Sequence, residues 1–163
     1  MATVGQAASA AEADHMRLFR FEADFVQTLR CIPMCVRFKL DTIEIKLSLR
    51  QWSRFTLEER DRLRRSPCEA PAEITAYRAH VVELVARGGD TAATLPPQPP
   101  ASWTSQVVPD TVAEFAAARG VRAPDPQAWA ALDGLSRYAV VKLTRDKHEN
   151  ANFEPALREL GLI

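Results

Sequence analysis

Apolar positions along this chain recur mostly at three- and four-residue intervals, the pattern of helices that bury one face. Phe21, Phe25, Val26 and Leu29 fit one face of a short helix. Pro33 is placed to open a second, in the first turn, where its missing N–H does no harm. Val36, Leu40, Ile43 and Leu47 supply the inner face of that helix. The alternation from Ile43 to Leu47 reads as an extended exit after about residue 43. Ser48 is placed to cap a short turn carrying Leu49 and Trp52. Thr56-Leu57-Glu58-Glu59 has the form of a capping box, which predicts a helix running to about Arg65 and stopping before Pro67. Phe55 precedes that cap, but Arg60 occupies the position it would pack on, so the hydrophobic staple is incomplete. Pro71 starts the next helix, with Ile74, Tyr77, Val81, Leu84 and Val85 inward and Gly88-Gly89 behind it.

Residues 90–108 break the rhythm. Pro96, Pro97, Pro99 and Pro100 put four prolines into five residues, which predicts an extended connector. Trp103 follows and is expected to pin the connector to the core. Helical spacing resumes with Val112, Phe115 and Ala116 and ends at Gly120. Asp125-Pro126 is a cap and first-turn pair for a helix through Trp129 and Leu132, with Gly134 as its stop. Ser136 is read as the cap of a further helix with Tyr138, Val140 and Val141 inward. A last helix covers roughly Phe153 to Leu160, with Gly161 behind it. These elements predict an all-α fold, a compact array of about six to eight short helices with a proline-rich internal connector. Residues 1–15 are Ala-rich and polar and are expected to form a disordered tail. Residues 16–163 are expected to form a single helical domain, with the connector at about 90–108.

Composition narrows the function classes. Lys plus Arg and Asp plus Glu are 21 each, so the net charge is zero. No global field then favours nucleic acid or an anionic membrane surface. No apolar run approaches the ~20 residues of a membrane span, and the N-terminus lacks the basic and apolar regions of a secretory signal. A cytoplasmic protein with three free thiols is the expectation.

Candidate chemistry is sparse. Cys31-x-x-x-Cys35, read as helical, would place both sulfurs on one face, but no third or fourth metal ligand accompanies them. His15, His80 and His148 stand apart. Buried core thiols are the main reading; a small redox or metal-binding helical protein using Cys31 and Cys35 is the alternative. Arg50, Arg54, Arg60, Arg62, Arg64 and Arg65 put six arginines into sixteen residues. They form either a solvated face with Glu58–Arg62 and Asp61–Arg65 pairs or a docking patch for an acidic partner. No phosphate loop, nucleophile elbow or metal-binding histidine pair appears. His148-Glu149-Asn150 could serve acid–base chemistry, which keeps a helical enzyme of unknown substrate as a further alternative. A deep cavity lined by His148, Glu149 and Tyr138 would favour it.

Two blocks resemble the nitrate reductase associated protein family. The first is FEADFVQTLRCIPMCVRFKLD with KLSLRQWSRFTLEER close behind, and the second is RYAVVKLTRDKHENANFEPALRELGL. Phe21-Glu22 and Cys31-Ile-Pro-Met34 are the most distinctive parts. The resemblance implies a non-catalytic accessory protein that binds assimilatory nitrate reductase and supports its maturation, stability or activity. It carries over no catalytic residue, cofactor or metal ligand, and Cys35 departs from the family pattern. Arg30, Arg37, Arg50, Trp52, Arg54, Arg137 and His148 are the candidate partner surface, with neither nucleic acid nor membrane as partner.

Overall fold

The computed structural model describes residues 14–96, 101–145 and 150–163, with the side chains of residues 101 and 102 left aside. Residues 1–13 of the expected tail, three of the four clustered prolines (Pro97, Pro99, Pro100), and His148 and Glu149 lie outside the described residues. The fold is helical, with one two-stranded pairing, as the apolar periodicity predicts. Contacts divide the chain into two compact units. The first comprises the residues before Phe19 together with Glu22–Gln98, and the second comprises Phe19–Phe21 with Pro99–Ile163.

The first unit contains α1 (Met34–Thr42), β1 (Ile45–Lys46), α2 (Leu49–Ser53), α3 (Leu57–Arg65), α4 (Pro71–Arg87) and β2 (Ala93–Thr94). Local chemistry explains its boundaries. The Ser48 hydroxyl accepts from the Gln51 amide at 3.1 Å, and Gln51 reaches back to the Ser48 amide at 3.0 Å. Thr56 and Glu59 form the same reciprocal pair at 3.1 and 2.9 Å, satisfying amides that a helix start leaves without partners. Pro71 occupies the first turn of α4, and Gly89 takes the left-handed conformation (φ +82°) behind it. Ile45 pairs with Thr94 and Lys46 with Ala93, antiparallel, so part of the expected extended connector is strand.

The 21–29 segment differs from its expectation. A 3-10 turn at Arg20–Glu22 runs into successive turns up to Leu29, with no α-helix. Phe25 and Leu29 are still buried, so the apolar spacing marks burial correctly while the backbone takes another path. Leu29 sits at φ 47°, a region unfavourable for a side chain with a Cβ. The fully buried indole of Trp52 donates to the Leu29 carbonyl at 2.6 Å and holds that conformation.

The second unit contains α5 (Ala101–Thr104), α6 (Asp110–Ala118), α7 (Pro126–Ala131), α8 (Gly134–Arg145) and α9 (Phe153–Glu159). A 3-10 turn at Asn150–Asn152 leads into α9. Leu135 to Val141 and Leu143 are all buried, so α8 is the axis on which α5, α6 and α9 pack. Trp103 meets Tyr138 edge-on at 5.2 Å, the pinning role expected of it, from a short helix inside the proline-rich stretch. Asp125 caps α7 through the amides of Gln127 and Ala128. Gly134 does not stop a helix; it opens α8. The cap of α8 is Asp133, whose carboxylate accepts from the Ser136 amide at 2.7 Å, and Ser136 is buried inside the helix. Aspartate caps at least as well as serine, and Asp133 stands three residues nearer the start of the apolar run.

Candidate functional site

The residues expected to form a partner surface do not share one environment. Arg30 is exposed and pairs with Asp24 at 3.3 Å. Arg50 is exposed at the start of α2, and its guanidinium makes no bond among the described residues. Arg37 is half-buried and donates to the Ile32 carbonyl at 3.0 Å. Arg54 bonds the Gly88 carbonyl and the Asp90 carboxylate, each at 3.0 Å. Trp52 is fully buried and Arg137 is 9% exposed, so neither is a surface residue. Trp52 is drawn inside by the area of its indole and by the Leu29 carbonyl. Arg137 is drawn in by the carbonyls of Trp129 and Ala130. His148 lies outside the described residues.

A different role unites several of these cations. The last carbonyls of a helix lack partners and carry the negative end of its dipole. Here long cationic side chains from other parts of the chain meet them. Lys39 of α1 donates to the carbonyls of Arg64 and Ser66, at 2.6 and 2.7 Å, at the end of α3. Arg78 of α4 donates to Ile43 at the end of α1, and Arg54 to Gly88 at the end of α4. Arg60 donates to Trp52 and Ser53 at the end of α2, at 3.1 and 2.9 Å, and also reaches the Thr28 and Leu29 carbonyls. Arg137 closes α7 in the same way. Much of the arginine cluster at 50–65 therefore bonds the protein's own backbone. Asp61 takes two more members, Arg64 and Arg65, each at 2.8 Å.

Lys39 is the centre of a buried polar group inside the first unit. It is 4% exposed, its ammonium lies 5.7 Å from the centroid of the Tyr77 ring, and the Tyr77 hydroxyl donates to the Leu63 carbonyl at 2.9 Å. Burial lowers the Lys39 pKa to about 8, against an upward pull from the nearby sulfurs of Cys35 and Cys68. Burial in turn raises Cys35 to about 12 and Cys68 to about 11, with Lys39 acting in the opposite direction. At neutral pH the group is thus an ammonium among carbonyls and two protonated thiols. Glu22, also buried, accepts from the Met34 amide at 2.7 Å and places a carboxylate at the positive end of α1. The charge of Lys39 masks a structural role that its position signals, three residues after Val36 and four before Ile43, on the face that periodicity assigns to the core.

This group does not have the makings of a thiol centre. The cysteines are free, and Cys31 precedes α1 while Cys35 lies within it, so the two do not share a helical face. A protonated buried thiol is a poor nucleophile and a poor metal ligand. Among the described residues, no group of three or more His, Cys, Asp and Glu could hold a metal ion. Tyr138, the described member of the proposed acid–base cavity, is fully buried against Trp103 and under the Lys142 ammonium.

The exposed residues of the 46–60 block include two large apolar side chains among polar and charged ones. Leu49 and Leu57 each open a helix and are 55% and 52% exposed, and Arg50 follows Leu49. No helix among the described residues is long and apolar enough to cross a membrane.

No curated protein and no solved structure matches the chain. The model of the conserved nitrate reductase-associated proteins matches residues 18–160, spanning α1 to α9. The chain belongs to the conserved nitrate reductase-associated protein family.

Proposed function

We propose that the protein is a non-catalytic accessory protein of assimilatory nitrate reductase, binding the enzyme in the cytoplasm and supporting its maturation, stability or activity. Family membership across residues 18–160 is the observation that carries this reading. A binding role is supported by the outer side of the 46–60 block, where Leu49, Arg50 and Leu57 are exposed while Trp52 and Phe55 build the core. Arginine beside exposed apolar side chains is a composition favoured at protein contacts.

Two mechanisms belong to this reading. A loading chaperone would hold the apo-enzyme ready for its cofactors, and an adaptor would stay as a permanent subunit. Co-purification from nitrate-grown cells separates them, since an adaptor accompanies the mature enzyme and a chaperone is enriched on the cofactor-free form. Nitrate reductase activity that is unchanged after deletion of this protein would remove both. The surface is tested by Leu49→Asp combined with Arg50→Glu, which should abolish co-purification while leaving the helical content intact.

A further inference from the structure

The second unit carries a cleft of about 310 Å³ lined by Arg119, Arg122 and Arg158, with Glu154 as the one acidic side chain. We propose that this cleft binds a small phosphate monoester through its guanidiniums, a role separate from the nitrate reductase reading.

The cleft is built at the end of α6. Gly120 takes φ +66° there, and a Cβ at that position would meet nothing within 4 Å, so the turn is open where it borders the cleft. The turn places Arg119 and Arg122 on either side of Gly120. Arg119 lies over the Phe115 ring, 4.5 Å from its centroid. Phe115 meets Phe153 edge-on at 4.8 Å. Phe153 opens α9, and Glu154 and Arg158 follow on that helix. One aromatic pair thus fixes both walls, and Arg119 is positioned before any ligand arrives, which reduces the ordering loss of binding.

The charges favour an anion. Three guanidiniums against the Glu154 carboxylate and the α-carboxylate that Ile163 carries as the last residue of this sequence leave an excess of positive charge in the lining, which favours an anion such as a phosphate monoester. Arg122 is exposed and bonds nothing among the described residues. Arg158 pairs with a single oxygen of Glu154, at 2.7 Å, with both side chains well exposed. Such a pair is held weakly, so Arg158 can turn toward a phosphoryl group, whose oxygens match the guanidinium fork. The volume lies at the lower end of the ~300–1,000 Å³ range of small-molecule sites. It exceeds what a bare phosphate fills and suits one of sugar size, with Val121 and Ile163 as apolar lining.

Calorimetric titration of the full chain, in chloride buffer at fixed ionic strength, tests the site with inorganic phosphate and with ribose 5-phosphate. Saturable one-site binding is expected, weakened about tenfold or more by Arg122→Ala or Arg158→Ala, the loss of one charge-assisted bond. Arg145→Ala, an exposed cation on another cleft of the same unit, should leave it unchanged. Tighter binding of ribose 5-phosphate than of inorganic phosphate is expected, and equal binding of the two would overturn the monoester assignment. Non-saturable heats, or saturable binding that survives Arg122→Ala in a chain with unaltered circular dichroism, would overturn the proposal.

Discussion

The ammonium of Lys39 lies 2.6 Å from the carbonyl oxygen of Arg64, so a buried charge on α1 closes the end of α3. Replacing Lys39 by Met keeps the stem and removes the donor. The carbonyls of Arg64 and Ser66 then stay partly buried without it. A loss of roughly 1.5–3 kcal/mol is expected, as for hydrogen bonds to a charged group. Urea unfolding should show a lower midpoint at unchanged slope, and an unchanged midpoint would refute the capping role.

Stability should pass through a maximum near pH 9. The folded-state pKa of Lys39 is lowered from 10.5 to about 8. Between these values the unfolded chain binds the extra proton, so stability rises with pH. Cys35 and Cys68 are raised from 9.0 to about 12 and about 11. Above about pH 9 the folded chain holds two thiol protons that the unfolded chain has released, so stability falls and outweighs the single lysine. Denaturant midpoints measured from pH 7 to 11 read both limbs. In Lys39→Met the rising limb should vanish and the falling limb persist.

The three thiols should react unequally. Cys31 is partly exposed, whereas Cys35 is 0% and Cys68 6% exposed with raised pKa values. A disulfide reagent should modify one thiol per native chain rapidly and the other two at a rate that increases with denaturant. Three thiols reacting equally fast in the native state would contradict this arrangement.

Trp52→Phe tests the strained turn at Leu29. The ring is largely kept, but the donor to the Leu29 carbonyl at 2.6 Å is lost. A destabilisation of roughly 1–3 kcal/mol is expected for a buried carbonyl left without it. Amides of 23–32 should also exchange faster with solvent than in the parent chain, and an unaltered exchange pattern would show that Arg60 alone holds the turn.

The helical architecture was legible where a side chain acts on its own backbone. The capping boxes at Ser48 and Thr56, Asp125-Pro126 and the glycines at 89, 120 and 161 depend on residues a few positions apart, and local spacing reveals them. Two local readings missed for local reasons. Asp133 outcompetes Ser136 as a cap, and the 21–29 segment buries Phe25 and Leu29 without a helix because Trp52, far along the chain, bonds its end. The arginines were the least legible. Arg50 and Arg137 look alike in a sequence, yet one faces solvent and the other closes a helix. The difference lies in carbonyls that only the folded chain brings within reach.

Taken as a circuit, the helix ends of the first unit depend on one another. α1 sends Lys39 to α3, α4 sends Arg78 to α1, and Arg54, between α2 and α3, reaches α4. None of these three closures can form before two distant segments have met. Isolated short helices are marginal in water, so a fragment carrying α1 alone, or α3 and α4 without α1, would lose its terminal fastenings along with its packing. The unit should therefore have no stable half: its helices ought to appear and melt together, and its slowest-exchanging amides should share one opening free energy across α1, α3 and α4.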